Sequence, residues 1–412
     1  MRNKKYQILY KLSNKDYIFD LISNQIKEIN KDSSSLFSKF LNEHSKEDEI
    51  TNFLFHYSKI SNSQDLDLTI ITTTSCNFNC KYCYQNLENY TIDNDFEKNI
   101  CLYIEKNITK YKRVYIEWFG GEPLLCFERI ISISKKIISI CQDYGVPYLA
   151  SITTNGYYLN APIFEELLEH KVIKFQVTID GDMDTHNKFR PLKNGKPTYN
   201  EIMENLMEIR DKFGNKKYFD IIIRNNISEE SLLGIDSFLN DYNEKFGQCK
   251  NFTLLPYPIG DWGGSMVKSI KGLFTYDQFI DKMNKKYKKH KIHIDIGIRP
   301  ENMICYAAKR FGYTIDPLGN IYKCSHYILS ETKKASKNNY IGNILDLNES
   351  KKSNLVNRKF IKPNIVKECF DCDYLPYCLY RHCPLAVLKN YKNCKKLVRQ
   401  EIDKGVYAEI MR

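Results

Sequence analysis

The sequence predicts an α/β protein: a partial (β/α)6, TIM-like barrel with a small N-terminal module before it and a cysteine-rich C-terminal domain after it. Three observations carry this prediction. From residue 67 onward, short β-branched runs alternate with longer amphipathic stretches, the pattern of strand-helix units around a parallel sheet. The least ordinary residues fall directly after those runs, where barrel enzymes place their chemistry. Seven of the 14 cysteines lie from Cys305 onward, in a segment with little apolar periodicity.

The strand candidates are residues 66–74, 113–119, 148–154, 172–180, 218–224 and 251–257. Helical patterns fill the gaps, as at 93–110 and 124–144, where apolar residues recur every three or four positions. Parallel neighbours need right-handed crossovers, so six such units curl into an open, partial barrel over residues 66–298. Residues 1–65 read as a small separate module for peptide docking: a hairpin over 6–21 turning at "SNKD", then two short polar helical stretches. Beyond about residue 300 the alternation stops, and a segment so poor in core-forming residues, 299–412, is expected to be organised by metal.

Composition limits the setting. Hydrophobic residues make up 42% and aromatic ones 13%, which supports a large packed core and excludes global disorder. No apolar run approaches the ~20 residues that span a bilayer, and the first residues lack a signal peptide's apolar stretch, so a cytoplasmic protein is expected. Thiols there stay reduced, and clustered ones bind metal. The net charge of +11 is spread along the chain; it suits an acidic peptide or an acidic electron donor, with ordinary solvated faces as the plainer reading.

The stretch "CNFNCKYCYQ" places Cys76, Cys80 and Cys83 on one loop after the first strand. Three thiolates leave one metal position open for a substrate, whereas structural zinc closes with four ligands. Zinc with a distant fourth ligand is the alternative reading. Similar strand ends carry Gly120, Gly121, Glu122 and Pro123, then "TNG" at 154–156, "DGD" at 180–182 and "RNN" at 224–226. The spacing Cys76-x3-Cys80-x2-Cys83, with the aromatic Tyr82, resembles the signature of the radical S-adenosylmethionine (SAM) enzymes. That resemblance implies a [4Fe-4S] cluster on the three cysteines, with SAM chelated at its open iron and cleaved to a 5'-deoxyadenosyl radical. It also implies that Gly120, Gly121, Glu122 and Pro123 form the family's GGEP stretch against SAM, with Glu122 accepting from its amine. Asn155, Thr178, Asp180 and Arg224 match positions that contact the ribose or the methionine carboxylate; a turn cap or a surface ion pair is the plainer reading of each.

The C-terminal thiols run Cys305, then Gly319 and Cys324, then Cys369-x2-Cys372-x5-Cys378-x4-Cys383-x10-Cys394. This order resembles the SPASM extension, an iron-sulfur domain that holds two auxiliary [4Fe-4S] clusters. By that resemblance Cys369, Cys372, Cys378 and Cys394 hold the outer cluster, and Cys305, Cys324 and Cys383 the inner one, with His326 or His382 as candidates to complete it. There are two departures: four residues stand between Cys378 and Cys383 where three are usual, and seven ligands are one short of two full sets. A zinc ribbon is the alternative for this block. Cys101, Cys126, Cys141 and Cys249 fall in or near predicted helices and read as small core residues.

The resemblance implies a radical enzyme acting on a ribosomal precursor peptide (RiPP) with a leader, reduced by a flavodoxin- or ferredoxin-type donor, with no membrane partner and no nucleic acid expected. The N-terminal module, the basic charge and the "PYPIGDWGG" loop at 256–264 favour the peptide. Thioether or carbon-carbon crosslinking is the leading chemistry, and epimerisation the alternative. Ser325 stands where formylglycine-forming relatives carry aspartate, which counts against that activity. A tRNA-modifying enzyme and a non-catalytic metal-bound carrier complete the set of alternatives.

Overall fold

The computed structural model describes residues 7–12, 15–20, 25–29, 63–85, 89–260, 266–270, 272–274, 276–292, 305–325 and 339–346, with isolated positions between 356 and 406. Its described residues fall into two compact units, one of them built on Gln64–Ile294 and Phe311–Asn357. The other contains a three-stranded antiparallel sheet of β1 (Gln7–Leu12), β2 (Lys15–Asp20) and β3 (Gln25–Ile29). The predicted hairpin is its first pair, in register from Gln7 opposite Asp20 to Leu12 opposite Lys15. The third strand, "QIKEI", is too short to announce itself by period. The helical stretches expected after it lie outside the described residues.

The larger unit is the predicted barrel. β4 (Asp65–Ile71), β5 (Arg113–Phe119), β6 (Tyr148–Thr154), β7 (Val172–Thr178), β8 (Asp220–Ile227) and β9 (Phe252–Pro258) pair in parallel and in chain order. The crossovers carry α1 (Asn94–Asn107), α2 (Phe127–Asp143), α3 (Ala161–Glu169), α4 (Met183–Phe189) with α5 (Tyr199–Phe213), and α6 (Ile235–Phe246); α7 (Tyr276–His290) follows β9. Side-chain alternation sorts each strand. Val114, Ile116 and Trp118 of β5 are wholly buried, as are Ile100 and Ile104 of α1 and Ile130, Ile133 and Ile137 of α2. Arg113, Tyr115, Glu117 and Phe119, of opposite parity, are only half-buried. Among the described residues no helix is long and apolar enough to cross a membrane.

The sheet does not end where the alternation does. β10 (Phe311–Ile315) pairs in parallel with β4, and β11 (Asn320–Tyr322) and β12 (Tyr340–Asn343) add antiparallel to it, giving nine strands. Strands thus continue past residue 300, beyond the end of the strand-helix alternation. β10 lies between two strands and is buried at all five positions, so it shows no polar alternation to announce it.

At the other end, β9 is an edge strand among the described residues. The Ile259 amide donates to the Ile227 carbonyl (2.8 Å), so odd-numbered amides face β8 and Pro256 and Pro258 fall on the outer side. That edge lacks two donors, and proline is tolerated there for this reason.

Between the first two helices Glu97 of α1 is almost wholly buried and takes Arg129 (2.5 Å), Ser132 (2.5 Å) and Lys136 (2.7 Å), all of α2. Burial alone would raise its pKa, but the hydrogen bonds from Lys136, Ser132 and Arg129 outweigh it and hold the carboxylate at about 2. Glu97→Gln is expected to cost about 2 kcal/mol in urea unfolding at neutral pH. Since the folded pKa is depressed, this contribution is complete above the ordinary glutamate value and fades as pH falls toward 2. The gap between wild type and variant therefore closes on acidification.

Candidate active site

The C-terminal ends of β4 to β9 open on one cavity of about 260 Å3. Its wall includes Cys76, Cys80 and Cys83 after β4, Gly120 and Gly121 after β5, Asn155 after β6, Thr178 of β7, and Arg224 and Asn226 of β8. Residues scattered over 150 positions of sequence thus meet at one mouth, as the barrel requires. Tyr82 also lines it, whereas Glu122, Pro123 and Asp180 are not part of its lining.

The cysteine loop is held from both sides by main chain. The Gly121 and Glu122 amides donate to the Thr73 and Ser75 carbonyls (2.8 and 2.9 Å). A side chain at Gly121 would meet the Ser75 carbonyl oxygen at 2.1 Å, so the pair of glycines is what lets the two loops touch. On the other side the Asn79 amide donates to the Pro191 carbonyl, Lys81 to Phe189 and Lys193 to Asn77, each at 2.9 Å. The connection between α4 and α5 thus runs antiparallel beside the loop, with Phe78 bridged to Leu192.

Glu122 is fully buried and makes a three-way clamp. Its Oε1 accepts from the Leu124 amide (3.0 Å) and the Thr154 hydroxyl (2.6 Å), and its Oε2 from the Asn155 amide (2.7 Å). Its bonds within the chain tie the end of β5 to the end of β6. Asn155 then reaches Asn77 Oδ1 through Nδ2 (2.7 Å), carrying the tie to the cysteine loop.

A second knot forms on the Tyr82 hydroxyl. It donates to the Asp180 carboxylate and accepts from Arg190 Nη1 (2.5 Å) and Asn226 Nδ2 (3.0 Å), while the Asn226 amide donates to Asp180 Oδ1 (2.8 Å). Arg190 lies 5.6 Å over the Phe78 ring and 3.8 Å from Asp180 Oδ2. Buried His186 fixes the turn beneath. The Asp180 amide donates to Nδ1 (3.2 Å), and the Thr198 hydroxyl spends its proton on the Arg190 carbonyl (2.7 Å), so Nε2–H donates to Thr198 (3.1 Å). Burial, then Arg190, push the imidazole well below its ordinary pKa and keep it neutral.

Arg190, Asn77, Phe78 and Gln176 are contributors that motif reading missed. The sole signal for Arg190 is an Arg-Pro pair closing a short helix. Arg224 lines the cavity as expected, stacked 4.6 Å over Tyr257 with Nε on Asn226 Oδ1 (2.9 Å).

The residues fit a thiolate-bound cluster. Burial pushes the Cys76 and Cys80 thiols up to about 11 and about 12, so thiolates there need a cationic centre against them. Arg190, which lines the cavity with those cysteines, has a buried Nε with no partner. An anionic or sulfur-rich guest would satisfy it. Among the described residues no three ligating side chains converge as a single ion demands, whereas three thiols around one cavity suit a larger inorganic unit.

Residues 70–239 match the family model of the radical SAM superfamily. The chain carries a radical SAM domain. It is 27% identical to the radical SAM cyclopropyl synthase TigE of Paramaledivibacter caminithermalis over 433 aligned residues, which cover 95% of this chain and 83% of that protein. It is 24% identical to the serine-type anaerobic sulfatase-maturating enzyme of Bacteroides thetaiotaomicron, covering 74% of this chain and 78% of the relative. The solved structure of native anSMEcpe with bound AdoMet and Kp18Cys peptide shares the fold, with TM-score 0.61 at 15% identity over 84% of this chain and 98% of that one.

Of the thiols expected outside the radical SAM domain, Cys324 is buried after β11, its amide on Asn339 Oδ1 (2.8 Å), and half-buried Cys305 precedes a short turn in the other unit. Cys369, Cys372, Cys378, Cys383, Cys394, His326 and His382 lie outside the described residues. Cys126 and Cys141 are buried and Cys101 and Cys249 half-buried, as small core residues would be.

Glu122→Gln is expected to lower stability by about 1–3 kcal/mol in urea unfolding, because an amide nitrogen placed on one side of the clamp faces a donor it cannot accept from. Glu122→Asp, which keeps the charge but shortens the reach, is expected to fall between.

Proposed function

We propose that this chain is a radical SAM peptide maturase that abstracts hydrogen from a residue of a ribosomal precursor peptide and closes a thioether or carbon-carbon crosslink. The observation that carries the catalytic reading is the convergence, in one cavity, of three half-buried thiols and Arg190, whose buried Nε has no partner. Cys76, Cys80 and Cys83 would hold the cluster. When bound, a [4Fe-4S] cluster with SAM on its open iron supplies a 5'-deoxyadenosyl radical.

The chain's own residues position and shield. Gly120 and Gly121 bring β5 backbone against the cysteine loop, and Glu122 fixes Asn155 in the wall. Arg190, held by Tyr82, keeps a cation beside the thiolates. Thr178 and Arg224 present a hydroxyl and a guanidinium to the methionine and ribose parts of SAM.

A peptide substrate is supported by the sulfatase-maturating relatives, whose names describe action on a protein, and by the separate N-terminal sheet, read as a docking module for a leader. The SPASM reading of Cys305, Cys324 and the later cysteines, with two auxiliary clusters, belongs to this proposal. So do a flavodoxin- or ferredoxin-type donor and a cytoplasmic location. Formylglycine formation is a second reading, favoured by the same sulfatase-maturating relatives; Ser325 counts against it.

The test is 5'-deoxyadenosine formation by anaerobically reconstituted, chemically reduced protein, against a variant with Cys76, Cys80 and Cys83 all changed to alanine. Product from the native protein alone is expected. No product from a protein with full iron loading would overturn the catalytic reading.

A further inference from the structure

The segment paired against the cysteine loop has a charge pattern that the site chemistry does not use. Residues 75–85 and 187–199 contain no aspartate or glutamate, yet they carry Lys81, Lys188, Arg190, Lys193 and Lys196. Arg190 is buried in the knot on Tyr82, and Lys188 is paired with Glu230. Lys193 and Lys196 are exposed, and Lys81 is half-buried with Nζ 5.8 Å over the Phe189 ring. Among the described residues none of these three meets a carboxylate within ion-pairing distance.

The ridge is rigid. The Leu192 amide donates to the Lys196 carbonyl (3.0 Å) and the Gly195 amide to the Leu192 carbonyl (2.9 Å), closing a tight turn with Gly195 at φ +80°. The three main-chain bonds to Asn77, Asn79 and Lys81 fasten it along the cysteine loop. Lys193 thus bonds the residue next to Cys76, and Lys81 lies between Cys80 and Cys83.

A row of unneutralised cations on a stiff surface is costly in self-repulsion and serves association with an anionic partner. Reductive chemistry at the cysteines calls for an electron carried in from outside. We propose that the ridge of Lys81, Lys193 and Lys196 is the docking surface for an acidic one-electron carrier protein, which delivers its electron through the cysteine loop. This rests on the radical SAM reading of the cavity and goes beyond it by naming the face.

The test uses the full-length holoenzyme with SAM and an acidic flavodoxin, reduced by its reductase, as the probe. Reduced methyl viologen, a small cation, serves as the parallel reductant. Lys193→Glu with Lys196→Glu reverses the exposed charges, and Lys98→Glu with Lys106→Glu reverses two on α1 as the control.

The expected result is at least a roughly tenfold fall in flavodoxin-driven 5'-deoxyadenosine formation for the ridge variant, with the salt sensitivity of wild type removed. Viologen-driven formation and iron content are expected to be unchanged, and the control variant to behave as wild type. An unchanged flavodoxin-driven rate in the ridge variant, or an equal loss in the control, overturns the proposal. Absence of product from wild type with either reductant would instead overturn the radical SAM reading on which it stands.

Discussion

Main-chain pairing on both flanks of the cysteine loop is the constraint from which the site follows. Loops that carry thiols are ordinarily free to change shape, and a site needing three sulfurs at fixed separations cannot tolerate that. Here Gly121 and Glu122 grip residues 73–75 from the β5 side, and residues 189–193 grip residues 77–81 from the α4 side. The loop is in effect an extra strand between two others. Its geometry is set by hydrogen bonds that exist whether or not anything is bound.

The buried polar groups around it then fall into two kinds. Glu122, Asp180 and His186 have their valences met by the chain and act as fasteners between strand ends. Arg190 lines the cavity and keeps its Nε unmet, and Asn77 keeps its Nδ2 unmet next to Cys76. The first group holds the site together, and Arg190 is left with a donor to spend at the cavity.

The barrel was legible in the sequence because its strands are β-branched and its helices amphipathic, and each of the six expected strands has its counterpart in β4 to β9. Motif-bearing residues were legible because glycine pairs and cysteine spacings survive outside their context. What escaped had local reasons. β10 is buried on every side and so reads as a plain apolar run, and β3 is five residues long. Arg190 comes from the end of a seven-residue helix, and its role depends on Tyr82, 108 positions earlier, a separation that no local pattern encodes. Glu122 was legible as important, but its fastening of two strand ends appears only once Thr154 and Asn155 are seen beside it.

The two prolines of β9 bear on how a long chain can approach such a mouth. An exposed sheet edge normally recruits any extended segment through its free amides and carbonyls, without regard to sequence. With Pro256 and Pro258 turned outward, the last strand offers acceptors without their matching donors. A chain passing that side finds no ladder to complete. Among the described residues that flank is therefore a poor template for an added strand at those two positions.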